Sequence, residues 1–130
     1  MEGQMKEPWN YQFFTQPEMS CSWTGKCEMD PTFMLMLDSL RLAHGKPIGV
    51  SSAFRDPSHP SEARKLAAGW HTKGKAADLL VSGEEAYKLL RLSLSIGFTG
   101  IGVKQSGPAE KRFLHVDTRP TPAVWSYPTS

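Results

Sequence analysis

The stretch "RFLHVDT", residues 112–118, constrains the fold more than any other part of the chain. Side chains alternate between the two faces of a strand. Leu114 and Val116 therefore share one face, while Phe113, His115 and Asp117 share the other. The first face is apolar and core-like. The second displays an imidazole and a carboxylate two residues apart, roughly 6.5 to 7 Å along the strand. A sheet built on this strand has one side to bury and one side that can carry chemistry.

A second imidazole–carboxylate pair stands in "WHTKGKAADLLV", residues 70–81, where "TKGKAA" separates His71 from Asp78. Gly74 and the alanines permit close backbone approach and a bend before the strand "ADLLV" begins. Two histidines and one aspartate around an open position form a familiar donor set for catalytic zinc, with contacts of about 2.0 to 2.2 Å. Spacing alone leaves a second reading open, in which these are hydrogen-bonded core residues, and the helical H-E-x-x-H signature is absent. The other two histidines read differently. His44 ends a helix and suits its negative pole. His59, in the polar turn "RDPSHPS", is either solvated or turned toward a substrate.

Around these pairs the chain divides into short elements. "MDPTFMLMLDSLRLAHG" reads as a helix with Asp30 as N-cap, Pro31 at its first position and Gly45 past its end. Phe33, Met34, Leu37, Leu40 and Leu42 supply its apolar stripe. "PIGVSS" is a short strand leading into a polar turn, and Ser61 caps a short helix through "EARKLAA". "SGEEAYKLLRLSLSIG" is a helix between Ser82 and Gly97, and "FTGIGVKQ" pairs with "RFLHVDTR" as a hairpin. Helices and short strands without regular alternation indicate an α+β fold, a small mostly antiparallel sheet with helices on one face. With 130 residues, 39% of them hydrophobic, the chain can bury one core, so residues 1–130 read as a single domain. Residues 1–12 and about 119–130 read as irregular ends, the latter pinned by Trp125 and Tyr127.

Composition removes several function classes. Fifteen basic and 13 acidic residues give a net charge of +2 and are scattered, which argues against a nucleic-acid partner. No run approaches the roughly 18 apolar residues of a membrane span. The start "MEGQMKEPWNYQFF" has no basic region followed by an apolar one, so the expectation is cytoplasmic synthesis without a signal peptide. Cys21 and Cys27 read as buried or loop-closing thiols, since no histidine lies within ten residues of either. There is no G-x-S-x-G elbow and no cysteine with a sequence-local histidine, which disfavours a serine or cysteine nucleophile.

Taken in order, "SSAFR", "HTKGKAAD" and "FLHVDTRP", with Trp125 shortly after, resemble the zinc D-alanyl-D-alanine carboxypeptidase family with its hedgehog-like fold. The segment from "FFTQPEM" to "PIGV" is similar to the lead-in of phage-type and bacterial cell-wall members, so the resemblance spans about residues 13–127. It implies one Zn2+ per chain held by His71, Asp78 and His115. It implies that Arg55 faces the substrate carbonyl or carboxylate, with Ser51 and His59 in the walls of the substrate pocket. A turn ion pair with Asp56 or Glu62 is the other reading of Arg55, and a strand-end hydroxyl making only backbone hydrogen bonds is the other reading of Ser51.

The implied activity is hydrolysis of an amide in the peptide stem or cross-link of peptidoglycan: D-Ala-D-Ala, an L,D cross-link, or L-Ala-D-Glu. The implied setting is a monomeric phage lysin or virion-associated lytic protein acting at the bacterial cell wall.

One position departs from the family pattern. Many relatives carry an acidic general base three residues before the last histidine, and here that position is Arg112. Two roles are therefore open to Asp117: general base, or a carboxylate that orients a ligand imidazole. Glu110 is a weaker candidate for the base. The departure keeps a non-hydrolytic binding module, with or without zinc, as the alternative. A structural phage component whose polar strand face binds no metal is a third reading.

Overall fold

A computed structural model of the chain describes residues 9–60 and 69–127. Helix α1, Pro31–His44, starts where the Asp30 carboxylate accepts the Phe33 N–H at 2.9 Å and ends at Gly45, which adopts the left-handed conformation. Its Phe33, Met34, Leu37 and Leu40 are buried. Leu42 is 67% exposed instead of completing the stripe. At 100° per residue it lies about 200° around the helix from Leu40, on the outer side. Helix α2, Gly83–Ile96, ends at the left-handed Gly97, and Ser82 occupies the N-cap position without a side-chain bond to the first turn.

Five strands form one sheet: β1 Gly49–Ser52, β2 Ala76–Leu80, β3 Gly100–Lys104, β4 Phe113–Asp117 and β5 Ala123–Ser126. Their order is β1-β2-β4-β3-β5, and every neighbouring pair is antiparallel except β3 with β5. This is the small α+β fold expected. Leu79 and Leu114 are cross-strand partners, as are Ala77 and Val116, and these residues enter one core with Phe33, Leu37 and Leu89 of the helices. Phe33 of α1 meets Phe98 edge to face with ring centres 5.6 Å apart. The helices thus cover the apolar face, and Asp78, His115 and Asp117 occupy the other.

The tail differs from the irregular end expected of residues 119–130. Ala123–Ser126 add in parallel to β3, with Gly102 opposite Trp125. Such a strand carries no turn signal beside its partner, because "TRPTP" supplies the crossover and the pairing is with a strand some twenty residues earlier. The expected helix through "EARKLAA" lies outside the described residues. Cys21 is buried, Cys27 is partly buried, and neither is in a disulfide.

Gly74 ties the sheet to α1. Its φ is 70°, and its carbonyl accepts the Asp30 N–H at 2.9 Å, next to the helix N-cap. A Cβ here would overlap the Glu28 carbonyl oxygen and come within 2.8 Å of Met29 Cα. Gly74→Ala should therefore lower unfolding stability by at least the ~1–3 kcal/mol of a strained left-handed residue. Urea denaturation of the two proteins, with an unchanged m-value, measures the loss.

Candidate metal centre

Three elements bring the polar face together. His71 sits in the short 3-10 segment Trp70–Lys73, which Gly74 closes in the left-handed conformation. Asp78 is the middle residue of β2, and its cross-strand partner on β4 is His115. One ligand atom from each of His71, Asp78 and His115 lies within 4.8 Å of the others, and all three residues are buried.

The far side of each imidazole fixes which nitrogen faces inward. His71 Nδ1 is 2.7 Å from the Ala53 carbonyl oxygen. A carbonyl only accepts, so Nδ1 carries the proton and the Nε2 lone pair points toward Asp78, 3.5 Å away. His115 is turned the other way: Nε2 lies 2.7 Å from Asp117 Oδ2, and Nδ1 lies 2.9 Å from Asp78 Oδ1. Inward-facing His71 Nε2, Asp78 Oδ1 and His115 Nδ1 form a two-nitrogen, one-oxygen set whose imidazoles are both held from behind. That is the arrangement by which proteins orient metal-binding histidines. The donor set fits a zinc ion.

Charge is balanced around this cluster. Burial alone would raise the Asp78 carboxyl, but the neighbouring His115 and His71 imidazoles hold it well below the usual carboxylate range. Burial likewise opposes ionisation of Asp117, and the bonds from His115 and Arg119 overcome it. Burial disfavours the His115 imidazolium, yet its two carboxylate partners raise its pKa above the ordinary value.

Asp117 has 0% exposure, and both of its oxygens are engaged. Arg119 Nε donates to Oδ1 at 2.9 Å, and its terminal nitrogen donates to Oδ2 at 2.6 Å. The guanidinium in turn lies 4.4 Å over the Trp125 ring, and that ring lies 5.1 Å from His115. Two glycines make room. A Cβ on Gly100 would overlap the Asp117 carboxylate, and one on Gly102 would come within 2.6 Å of Trp125 Nε1.

The remaining candidates divide. Arg55 joins the cluster: its terminal nitrogen is 3.6 Å from Asp78 Oδ2, and its backbone N–H donates to the His71 carbonyl at 3.1 Å. The hydroxyl that holds its Nε, at 2.9 Å, belongs to Ser52. An irregularity in β1 between Val50 and Ser52 places Ser52 opposite Asp78. Ser51 instead lines a separate cavity beside Glu18, Cys21 and Cys27.

His59 closes a turn through its N–H to the Asp56 carbonyl at 2.8 Å. Arg112 points away from the polar face. Its Nε donates to the Gly107 carbonyl at 2.9 Å, and the residue borders an apolar groove with Tyr87 and Leu90 of α2. Glu110 is exposed.

The structure adds to the sequence candidates Arg119 on Asp117, Ser52 on Arg55, and Trp70, whose ring lies 5.9 Å from the Arg119 guanidinium. The only local signal for Arg119 was its position two residues beyond Asp117, where a cation can reach back along the strand direction.

Fold and site together define an α+β sheet protein with a buried His-Asp-His cluster suited to a divalent metal. The Peptidase M15 family model matches residues 12–117, which include all three donors. The chain belongs to that family of zinc-dependent metallopeptidases. No curated protein matches the chain.

Arg119→Ala would leave the Asp117 carboxylate buried with one cationic partner fewer. In the presence of a chelator, so that metal binding does not contribute, the variant should lose about 3 kcal/mol of stability in chemical denaturation. Arg119→Lys, which keeps the charge without the two-pronged contact, should lose less.

Proposed function

We propose that this protein is a zinc peptidase that hydrolyses an amide bond in the peptide stem or cross-link of peptidoglycan. The observation that supports it most is the convergence of His71 Nε2, Asp78 Oδ1 and His115 Nδ1, each imidazole anchored from behind, within a chain of the M15 family. These three atoms would hold one Zn2+. Bound there, zinc supplies Lewis acidity to a carbonyl oxygen and activates water as a nucleophile near neutral pH.

The chain's own residues supply the rest. Ala53 and Asp117 keep the two imidazoles in the tautomers that present a lone pair inward. Asp117 acts through His115 in this reading, because Arg119 and His115 already engage its two oxygens. Arg55, poised by Ser52 beside Asp78, would bind the substrate carbonyl or carboxylate and stabilise negative charge as the amide carbon becomes tetrahedral. His59 and Ser51 are proposed as wall residues of the substrate pocket, with Ser51 on the side of the cavity beside Cys21 and Cys27. The setting proposed with this activity is the bacterial cell wall, reached as a phage lysin or virion-associated lytic protein.

A second reading is favoured by one specific observation. Arg112 stands where the resemblance puts an acid, and its side chain is bonded to Gly107 in the loop between β3 and β4. A binding module that keeps zinc and has lost hydrolysis would look the same at the donors. Turnover separates the two.

Elemental analysis of untagged protein should give about one zinc per chain, and His71→Ala should lose it. The zinc-loaded protein should release peptides or D-alanine from purified peptidoglycan. Arg55→Ala should keep the metal and lose activity by a factor on the order of 100 to 1,000. Absence of zinc after metal is supplied would overturn the peptidase reading. Zinc retention without any peptide release would favour the binding module.

A further inference from the structure

With Arg112 turned away and Asp117 fully engaged, the open side of the metal cluster is bordered by Arg55 and by aromatic side chains that arrive from the chain's C-terminal strand. That strand lies beyond the span matched by the family model, which stops at residue 117. Gly102, the cross-strand neighbour of His115, has no side chain, and both Trp125 and Tyr127 fill the space over it. A Cβ there would come within 2.9 Å of the Tyr127 ring. Tyr127 also packs edge to face on Phe113, two residues before His115, with ring centres 5.0 Å apart.

The phenol is therefore on the polar face, beside the metal cluster and held by two neighbours. The Trp125 indole and the Tyr127 ring meet over Gly102, and Asp78, Asp117 and Arg55 all act on the phenol electrostatically. A phenol has its own O–H to donate. Burial pushes the phenol's pKa up, so the proton stays on.

We propose that Tyr127 is a substrate-contacting residue of this site, donating its phenol hydrogen bond to a substrate carbonyl or carboxylate oxygen opposite Arg55. The inference rests on the peptidase reading for the identity of the substrate. The Gly102 gap and the Phe113 and Trp125 contacts place the ring independently of that reading.

In this arrangement an oxygen that gains negative charge meets a cation from the β1 side of the cleft and a neutral donor from the β5 side. Tyr127 transfers no proton. Its hydrogen bond shortens as charge builds on the acceptor, which makes it worth more in the transition state than with bound substrate. β5 thereby becomes part of the active-site wall, and Trp125 links both halves of the site, lying against His115 and Arg119 and meeting Tyr127 over Gly102.

Tyr127→Phe tests the proposal, because it removes one oxygen while keeping the ring that packs on Phe113. The variant should bind one zinc with wild-type affinity in a chelator competition and melt at the wild-type temperature. On purified peptidoglycan its kcat should fall on the order of 100-fold. A kcat within twofold of wild type would overturn the proposal. So would a loss of zinc affinity that accounts for the whole loss of activity.

If the zinc-loaded wild type cleaves nothing, the peptidase reading fails, and a calorimetric titration decides Tyr127 separately. The probe is a synthetic stem peptide ending in D-alanyl-D-alanine. Binding weakened about tenfold or more by Tyr127→Phe supports the contact. Equal binding by both proteins, or no binding by the wild type, overturns it.

Discussion

A carboxylate with no exposed surface sits at the end of β4, and the rest of the site follows from meeting its charge. An ion of this kind is tolerated in a protein interior only when its lone pairs are occupied and an opposite charge is close. Arg119 supplies the charge in two-pronged geometry, His115 supplies an N–H, and Gly100 supplies the space. Satisfying Asp117 in this way determines which His115 nitrogen is free. The nitrogen left over faces Asp78 and His71, so the demand of one buried carboxylate sets the geometry of three donor atoms.

The same strand explains how a chain of this size holds both a core and a polar centre. Leu114 and Val116 are buried among Leu79, Ala77 and the helices, while their neighbours His115 and Asp117 are buried on the other side of the sheet. Both faces of β4 are buried, yet one is apolar and one is ionic. The ionic face is covered in part by Trp125, which lies against His115 and Arg119 in place of a second layer of helices. Burial there strengthens every electrostatic contact in the cluster.

The parts of this arrangement that were legible in the sequence are those written at short range. Alternation in "FLHVDT" separates the two faces of β4 without reference to any other element. Asp30, Gly45 and Gly97 mark helix ends through their own backbone preferences, and Gly74 marks the bend between His71 and Asp78. What escaped depends on partners far along the chain or on one-residue detail.

β5 pairs in parallel with a strand across an intervening hairpin, and its short segment resembles a tail until Gly100 and Gly102 are seen to leave room for it. Ser52 and not Ser51 holds Arg55, because an irregularity in β1 shifts the register by one residue, a displacement that no alternation pattern can register. Leu42 lies on the outer side of α1 because its angle around the helix axis, and not its apolarity, decides which side it faces.

The charge balance of the cluster indicates what kind of substrate oxygen it suits. Asp78 and Asp117 contact the imidazoles and are matched by Arg55 and Arg119, so with both histidines neutral the protein groups sum to zero. A divalent cation at His71, Asp78 and His115 would leave the site with two positive charges and no carboxylate free to offset them. Such a centre has its strongest attraction for an oxygen that becomes anionic, either a terminal carboxylate or the oxygen of an amide carbon under attack. Arg112 contributes nothing here, because its side chain is tied to Gly107 in the loop between β3 and β4. The balance is consequently more electropositive than a site with an acidic base, and a neutral donor such as the Tyr127 phenol fits it better than another anion would.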